Sequence, residues 1–169
     1  MRIITEDLDF VYDRNKADID RVLELTEKYM DGTITQEEIT EWNAGLKGAL
    51  NLSDLERNEY NLYYLGYIFQ ISITTKYNPS THQYSIPDIP RPDYYTDLRQ
   101  NAQAIRNQAV LTGYIHSDTP TVPASPLNTY GKWNDIEKLL FDIYEMIKIN
   151  QEDYLYCGEF YGGESIGIL

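Results

Sequence analysis

The chain has 169 residues, enough for one domain with a real core, and 42% of them are hydrophobic, which excludes wholesale disorder. Its formal net charge is −13, spread as 12 acidic against six basic side chains over residues 1–50, four against two over 51–90, and 11 against six over 91–169. No stretch forms the basic face that nucleic-acid binding or an anionic membrane requires. Sixteen of the 22 aromatic residues are tyrosine, an apolar ring with a polar tip that suits protein–protein contacts and tyrosine-rich cores alike.

Residues 1–13 alternate loosely, with Ile3, Leu8, Phe10 and Tyr12 as the apolar members, and are expected to form a short strand or an arm. The start turns acidic at Glu6-Asp7 before any apolar run develops, so it does not read as a signal peptide, and synthesis and folding in a cytoplasm are expected. A helical part is expected over 14–74. Ile19, Val22, Leu23, Thr26, Tyr29 and Met30 share a face, which predicts a helix over 15–30 ended at Asp31-Gly32. Thr35 with Glu38 is a capping box for a short helix with Ile39 and Trp42 inward. Gly45 and Gly48 then break the chain, and a helical hairpin is expected before residue 53.

The stretch at 53–71 organises the rest. Ser53 with Glu56 is a second capping box. Behind it Leu55, Leu62, Leu65 and Phe69 lie on one side, and Tyr60, Tyr63, Tyr64, Tyr67 and Ile71 on the other. Two apolar stripes cannot be satisfied by one neighbour, so this helix is expected at the domain centre or shared with another chain.

Residues 75–92 carry Pro79, Pro87, Pro90 and Pro92 and are expected to be an extended surface connector. A C-terminal helical part is expected over 93–150. Pro92 suits the first turn of a helix whose Tyr94, Tyr95, Leu98, Ala102, Ile105, Ala109 and Thr112 share a side. A loop with Gly113, Pro120, Pro123 and Pro126 leads to a helix over 130–149, striped by Trp133, Ile136, Leu139, Leu140, Ile143 and Ile147. Trp42 and Trp133 are read as core anchors. Over 151–169 the period turns near-alternating, which predicts an aromatic, glycine-rich arm in the form of a strand or hairpin. Four acidic helix entries, at Asp18, Asp54, Asp97 and Asp135, are spaced 36, 43 and 38 residues apart, a degenerate helical repeat. The expected fold class is therefore mainly α, a bundle of about five helices with a short C-terminal β arm.

No catalytic constellation is legible. His82 and His116 lie in loops without a second ligand at metal spacing, and Cys157 has no adjacent base. The glycine-rich Gly162-Gly163-Glu164-Ser165-Ile166-Gly167 lacks the lysine and following helix of a phosphate cradle. Neither enzymatic activity, nor a metal, nor a cofactor is expected. The expected interaction residues are Tyr60, Tyr63, Tyr64 and Tyr67 on the central helix and Tyr154, Tyr156, Phe160, Tyr161, Ile166, Ile168 and Leu169 in the arm.

An ordered set of short motifs covers the chain from Asp13 onward. It runs through Asp13-Arg14, Asp18-Ile19-Asp20-Arg21-Val22, Glu41-Trp42 to Lys47-Gly48-Ala49, and Asn51 with Asp54-Leu55-Glu56-Arg57 and Glu59. It continues with Asp88-Ile89-Pro90, Asp93-Tyr94, Asn134-Asp135-Ile136-Glu137, Leu139-Leu140, Asp142-Ile143, and Tyr154 with Gly158-Glu159-Phe160-Tyr161 and Gly163-Glu164. The set resembles proteins encoded in tail modules of phages and prophages of Gram-positive, Firmicutes-type hosts. It departs from them at Tyr156-Cys157-Gly158, where that group has Tyr-Ser-Gly. The resemblance implies a virion structural protein of the distal tail or baseplate, oligomeric in the particle, contacting other tail or tail-fibre proteins. A non-virion assembly factor or chaperone for a fibre protein is the alternative.

Overall fold

The computed structural model describes residues 2–86 and 90–156 of the chain. Five helices lie among them: α1 (Lys16–Met30), α2 (Gln36–Ala44), α3 (Leu52–Phe69), α4 (Pro92–Thr112) and α5 (Tyr130–Tyr156). Two short strands, β1 (Tyr77–Asn78) and β2 (Gln83–Tyr84), pair antiparallel in the middle of the chain, with Tyr77 opposite Tyr84. The helical expectation holds. The β-structure sits in the connector and not in a C-terminal arm, and Tyr154 to Tyr156 continue α5. The rest of that expected arm, 157–169, lies outside the described residues.

Helices α3, α4 and α5 form the bundle, and all three run in the same direction. At their starts, Arg57 of α3 pairs with Glu137 of α5, and Tyr95 of α4 lies against Trp133 of α5. At the far end, Phe69 closing α3 meets Tyr114 just beyond α4. Leu62, Leu65, Ile68, Leu98, Ile105, Ile136, Leu139, Leu140, Ile143 and Ile147 are wholly buried between the helices. Parallel neighbours impose a topological cost, because the chain must travel back along each helix before starting the next. An 18-residue helix rises about 27 Å, which an extended chain covers in about eight residues.

The connectors make that return journey as straps lying along the helices. Residues 2–14 run antiparallel to both α3 and α5. Residues 71–77 run back along α3 and α4, and Arg99 of α4 holds the returning segment 113–129 by its bond to the Pro123 carbonyl. A strap has no strand beside it, so its amides and carbonyls need other partners. Side chains on the helices supply them. Asn134 accepts from the Arg14 N–H and donates to the Arg14 carbonyl, and Asn101 does the same for Thr74. Gln151 accepts from Ile4 and donates to the Arg2 carbonyl. Ile73 of the second strap packs directly over Gly66, where any Cβ would collide with it. That contact explains a glycine inside α3.

Where the straps meet the helix starts, a charge cluster is buried. The Glu137 carboxylate is fully enclosed and accepts from the Val11 N–H at 2.6 Å, from Arg57 at 3.0 and 3.2 Å, and from Asn58 at 3.2 Å. Arg14 lies 3.0 Å from Glu137 and 2.9 Å from Asp54, and Arg57 donates to Asp54 as well. Asp54 also accepts from the Asn51 N–H, so the cap of α3 is Asn51 with Asp54. Ser53, expected as the cap, sits inside the first turn.

Other expectations change in detail. The tyrosine face of α3 is covered largely from within the chain, and Ile71 belongs to a strap rather than the helix. In α1, Leu25 is the buried residue, whereas Leu23, Tyr29 and Met30 of the expected face are exposed. Trp42 is 39% exposed and stacks on Tyr29, so only Trp133 is a core anchor. The connector at 75–92 does not run wholly along the surface, since Tyr77 is buried. Asp97 and Asp135 fall in the second turns of their helices, with Asp93 the first-turn acid of α4. The repeat is thus one of a returning strap followed by a helix, with the α1–α2 hairpin inserted before α3.

Removing the Glu137 carboxylate leaves Arg14 and Arg57 with Asp54 as their one shared carboxylate and leaves the Val11 amide without its acceptor. Glu137→Ala is expected to lower stability by about 3–5 kcal/mol, read from chemical denaturation.

Candidate functional site

The tyrosines singled out on α3 occupy successive turns, and the structure gives them different roles. Tyr64 is 4% exposed, and its hydroxyl oxygen accepts from the N–H groups of Thr5 and Glu6 at 2.8 and 3.0 Å. Its contact is therefore intramolecular, holding the first strap. Tyr60 donates to the Glu6 carboxylate. Burial, together with that carboxylate, pushes its phenol pKa well above the usual range. Tyr63 and Tyr67 differ, because neither hydroxyl has a hydrogen-bond partner among the described residues. Tyr67 is 44% exposed with the Arg2 guanidinium 3.8 Å over its ring.

Two adjoining cavities follow this ridge. One, of about 440 Å³, is lined by Arg2, Tyr63, Tyr67, Gln70, Ile73 and Pro79. The other, of about 250 Å³, is lined by Thr5, Tyr60, Tyr64, Tyr77, Pro79 and His82. Tyr63, Tyr67 and Pro79 border both, so the two form one open groove. Its far wall is the β-hairpin. The Tyr77 hydroxyl and His82 Nδ1 lie 2.7 Å apart, and the Tyr77 ring packs edge-on to Tyr60 and against Tyr63 and Tyr84. The hairpin loop turns through His82, which adopts the left-handed region at φ 53°. His82 is thus fixed by the hairpin, while His116 is an exposed loop residue.

Tyr154 and Tyr156 fall in α5. Phe160, Tyr161, Ile166, Ile168 and Leu169, like Cys157 and the Gly162–Gly167 run, lie outside the described residues. Among the described residues no group of three or more His, Cys, Asp or Glu side chains is placed to hold a metal ion. Among the described residues no helix is long and apolar enough to cross a membrane.

The polar residues of the ordered motifs converge in space. Arg14, Asn51, Asp54, Arg57, Asn134 and Glu137 belong to the buried cluster and strap bonds. Glu59 holds the second strap, one oxygen accepting from Thr75 Oγ1 at 3.0 Å and from the Lys76 N–H at 2.6 Å. Its other oxygen is buried beside the Tyr94 hydroxyl. Gly48 sits against the Asp18 carbonyl of α1, leaving no room for a Cβ. Helical periodicity alone does not mark these acids as buried. Their recurrence as Asp54-Leu55-Glu56-Arg57 and Asn134-Asp135-Ile136-Glu137 was the available signal.

The chain matches no protein-family model, and no curated protein or solved structure is significantly similar to it.

Tyr64→Phe leaves the Thr5 and Glu6 amides without their acceptor. A loss of about 1–3 kcal/mol is expected, with faster hydrogen exchange along the first strap. Burial raises the Glu59 pKa, only partly opposed by the Lys76 amide and Thr75. A raised acid favours the folded state when protonated, so its ionisation lowers stability as pH rises through the folded pKa. Glu59→Gln is therefore expected to melt higher than wild type at pH 7.5, with the advantage shrinking as pH falls through the raised folded pKa and gone below pH ~4.5. Glu38 acts in the opposite sense. Lys28, with the Thr35 amide, depresses it to about 2, so its stabilisation is present above pH ~4.5 and is lost as pH falls from there through the depressed pKa.

Proposed function

We propose that this protein is a structural component of a phage or phage-tail-like particle, placed in the distal tail or baseplate. There it joins neighbouring tail or tail-fibre polypeptides and is repeated symmetrically with the particle. The observation that carries the contact role is the tyrosine groove. Tyr63 and Tyr67 present apolar rings and unengaged hydroxyls beside cavities that the chain's own straps leave open. Aromatic rings with a polar tip supply large contact area at low entropic cost, and interfaces are enriched in them. The tail assignment rests on the motif resemblance, which spans the chain in order. Its polar members hold this fold together, which supports reading the motifs as the signature of a shared scaffold. Closed symmetric assembly is the usual state of such parts.

Quantitative mass spectrometry of gradient-purified particles tests the assignment. A fixed low-integer ratio to the major tail-tube protein is expected, and abundance in the lysate with absence from particles would transfer the protein to the assembly-factor class. The double variant Tyr63→Ala/Tyr67→Ala is expected to keep its helical content while particle yield drops by about tenfold or more, as loss of interface anchors implies. Tyr64 is unsuited to that test because it also anchors the arm.

A further inference from the structure

The α1–α2 hairpin stands apart from the bundle and leaves one face open. Leu23, Tyr29, Met30 and Trp42 are 56, 70, 79 and 39% exposed. The Tyr29 and Trp42 rings stack with centroids 6.4 Å apart, bridging the two helices. At 100° per residue, Leu23 and Met30 form one stripe along α1, with Tyr29 about 100° round the helix from Met30 on the side toward Trp42. The next stripe, on the side away from Tyr29, holds Asp20, Glu27 and Asp31.

Charge decides what can cover this face. Residues 16–44 hold eight acidic and three basic side chains. All three bases are engaged within the hairpin: Lys16 with Asp20, Arg21 with Glu24, Glu38 and Glu41, and Lys28 with Glu24 and Glu38. Glu27, Asp31 and Glu37 are exposed and have no ion-pair partner among the described residues. The net field bordering the apolar stripe is therefore negative. A second copy of this chain would bring the same acidic border and a net charge of −13. Residues 157–169 carry Glu159 and Glu164 and no base, so they are no better matched. Nucleic acid and anionic membrane are repelled outright.

We infer that the open face of the α1–α2 hairpin receives a basic amphipathic helix from a partner protein. A third helix laid against a two-helix hairpin buries the Leu23–Met30 stripe and the Tyr29–Trp42 stack, while its lysine or arginine row faces Glu27 and Asp31. The mode is that of an amphipathic helix docked by its apolar face, with charge setting orientation and encounter rate. Exposed methionine and stacked aromatics are adaptable and energetically dominant contacts in such surfaces. This surface is separate from the tyrosine groove and independent of the tail assignment.

The probe is a synthetic peptide of about 18 residues with leucine on one helical face and lysine on the other. Its partner control has the same composition in an order that presents no apolar face. Binding to the full chain is followed by calorimetry and by fluorescence, with the exposed Trp42 as reporter. One-to-one binding of the amphipathic peptide is expected, with little for the control. Leu23→Asp/Met30→Asp and, separately, Glu27→Lys/Asp31→Lys are expected to weaken it by about tenfold or more. Tyr63→Ala/Tyr67→Ala is expected to leave it unchanged. All altered residues of the hairpin are exposed, and circular dichroism verifies that each variant keeps its helices. Equal binding of the control peptide, wild-type affinity in both hairpin variants, or loss in the Tyr63/Tyr67 variant would overturn the inference. So would a concentration-dependent dimer that Met30→Asp abolishes, because the occupant would then be a second copy.

Discussion

The first strap, α3 and α5 meet at the Glu137 carboxylate. It joins the first strap, through the Val11 amide and Arg14, to α3, through Arg57 and Asn58, and both to α5. Four charges, Arg14, Arg57, Asp54 and Glu137, sit together with no net excess. Desolvating them is expensive, and an apolar cluster of the same volume could be as stable. What the cluster adds is register. An apolar interface tolerates sliding by a turn, whereas these donors and acceptors close on one another in one alignment only. That matters for parallel helices, whose like ends are brought together: the positive N-terminal ends of α3 and α5 meet with Asp54 and Glu137 close at hand to offset them.

The parallel arrangement also accounts for the polar residues inside the bundle. Antiparallel helices need only short turns, whereas parallel ones need a return path, and here the path is packed against the helices. Asn101, Asn134 and Gln151 each take both a donor and an acceptor from a strap, with Asn61 adding a bond to the Asp9 carbonyl. An amide side chain offers a carbonyl and an N–H in one plane, which imitates a neighbouring strand. The straps are thus held in extended form without a sheet. Gly66 is part of the same device, letting the second strap approach the backbone of α3 closely.

Helical periodicity made the helices legible, and the stripes of α4 and α5 read from sequence are the ones that face inward, save for Thr112, which is exposed at the end of α4. It failed where a polar residue faces inward. Asn101, Glu137 and Tyr144 lie on the buried sides of their helices, and a reading that sends polar residues to solvent discards them. The double stripe of α3 was legible and required two covers, but the sequence could not say that the cover for Tyr64 is the first thirteen residues of the same chain. Trp42 was misplaced because a hairpin this small has room for little more than Leu25 inside, so a large ring on the stripe remains outside. The groove was legible only as a row of tyrosines. Which of them keep a free hydroxyl depends on where Thr5 and Glu6 come to rest, a contact between segments about 60 residues apart.

The same division separates scaffold from surface. Residues that hold the straps, such as Tyr64 and Asn101, cannot lose those bonds without loosening the fold, so a partner that relied on them would compete with folding. Tyr63, Tyr67, Tyr29 and Met30 carry no such duty. The hairpin is fastened by exposed ion pairs that salt weakens, by the buried Leu25 and by the close contact of Gly48 with α1. It can therefore adjust its face to a partner while the bundle beneath keeps its alignment. Rigidity at Glu137 and compliance at Tyr29 and Trp42 are both consequences of where the chain could satisfy its charges internally.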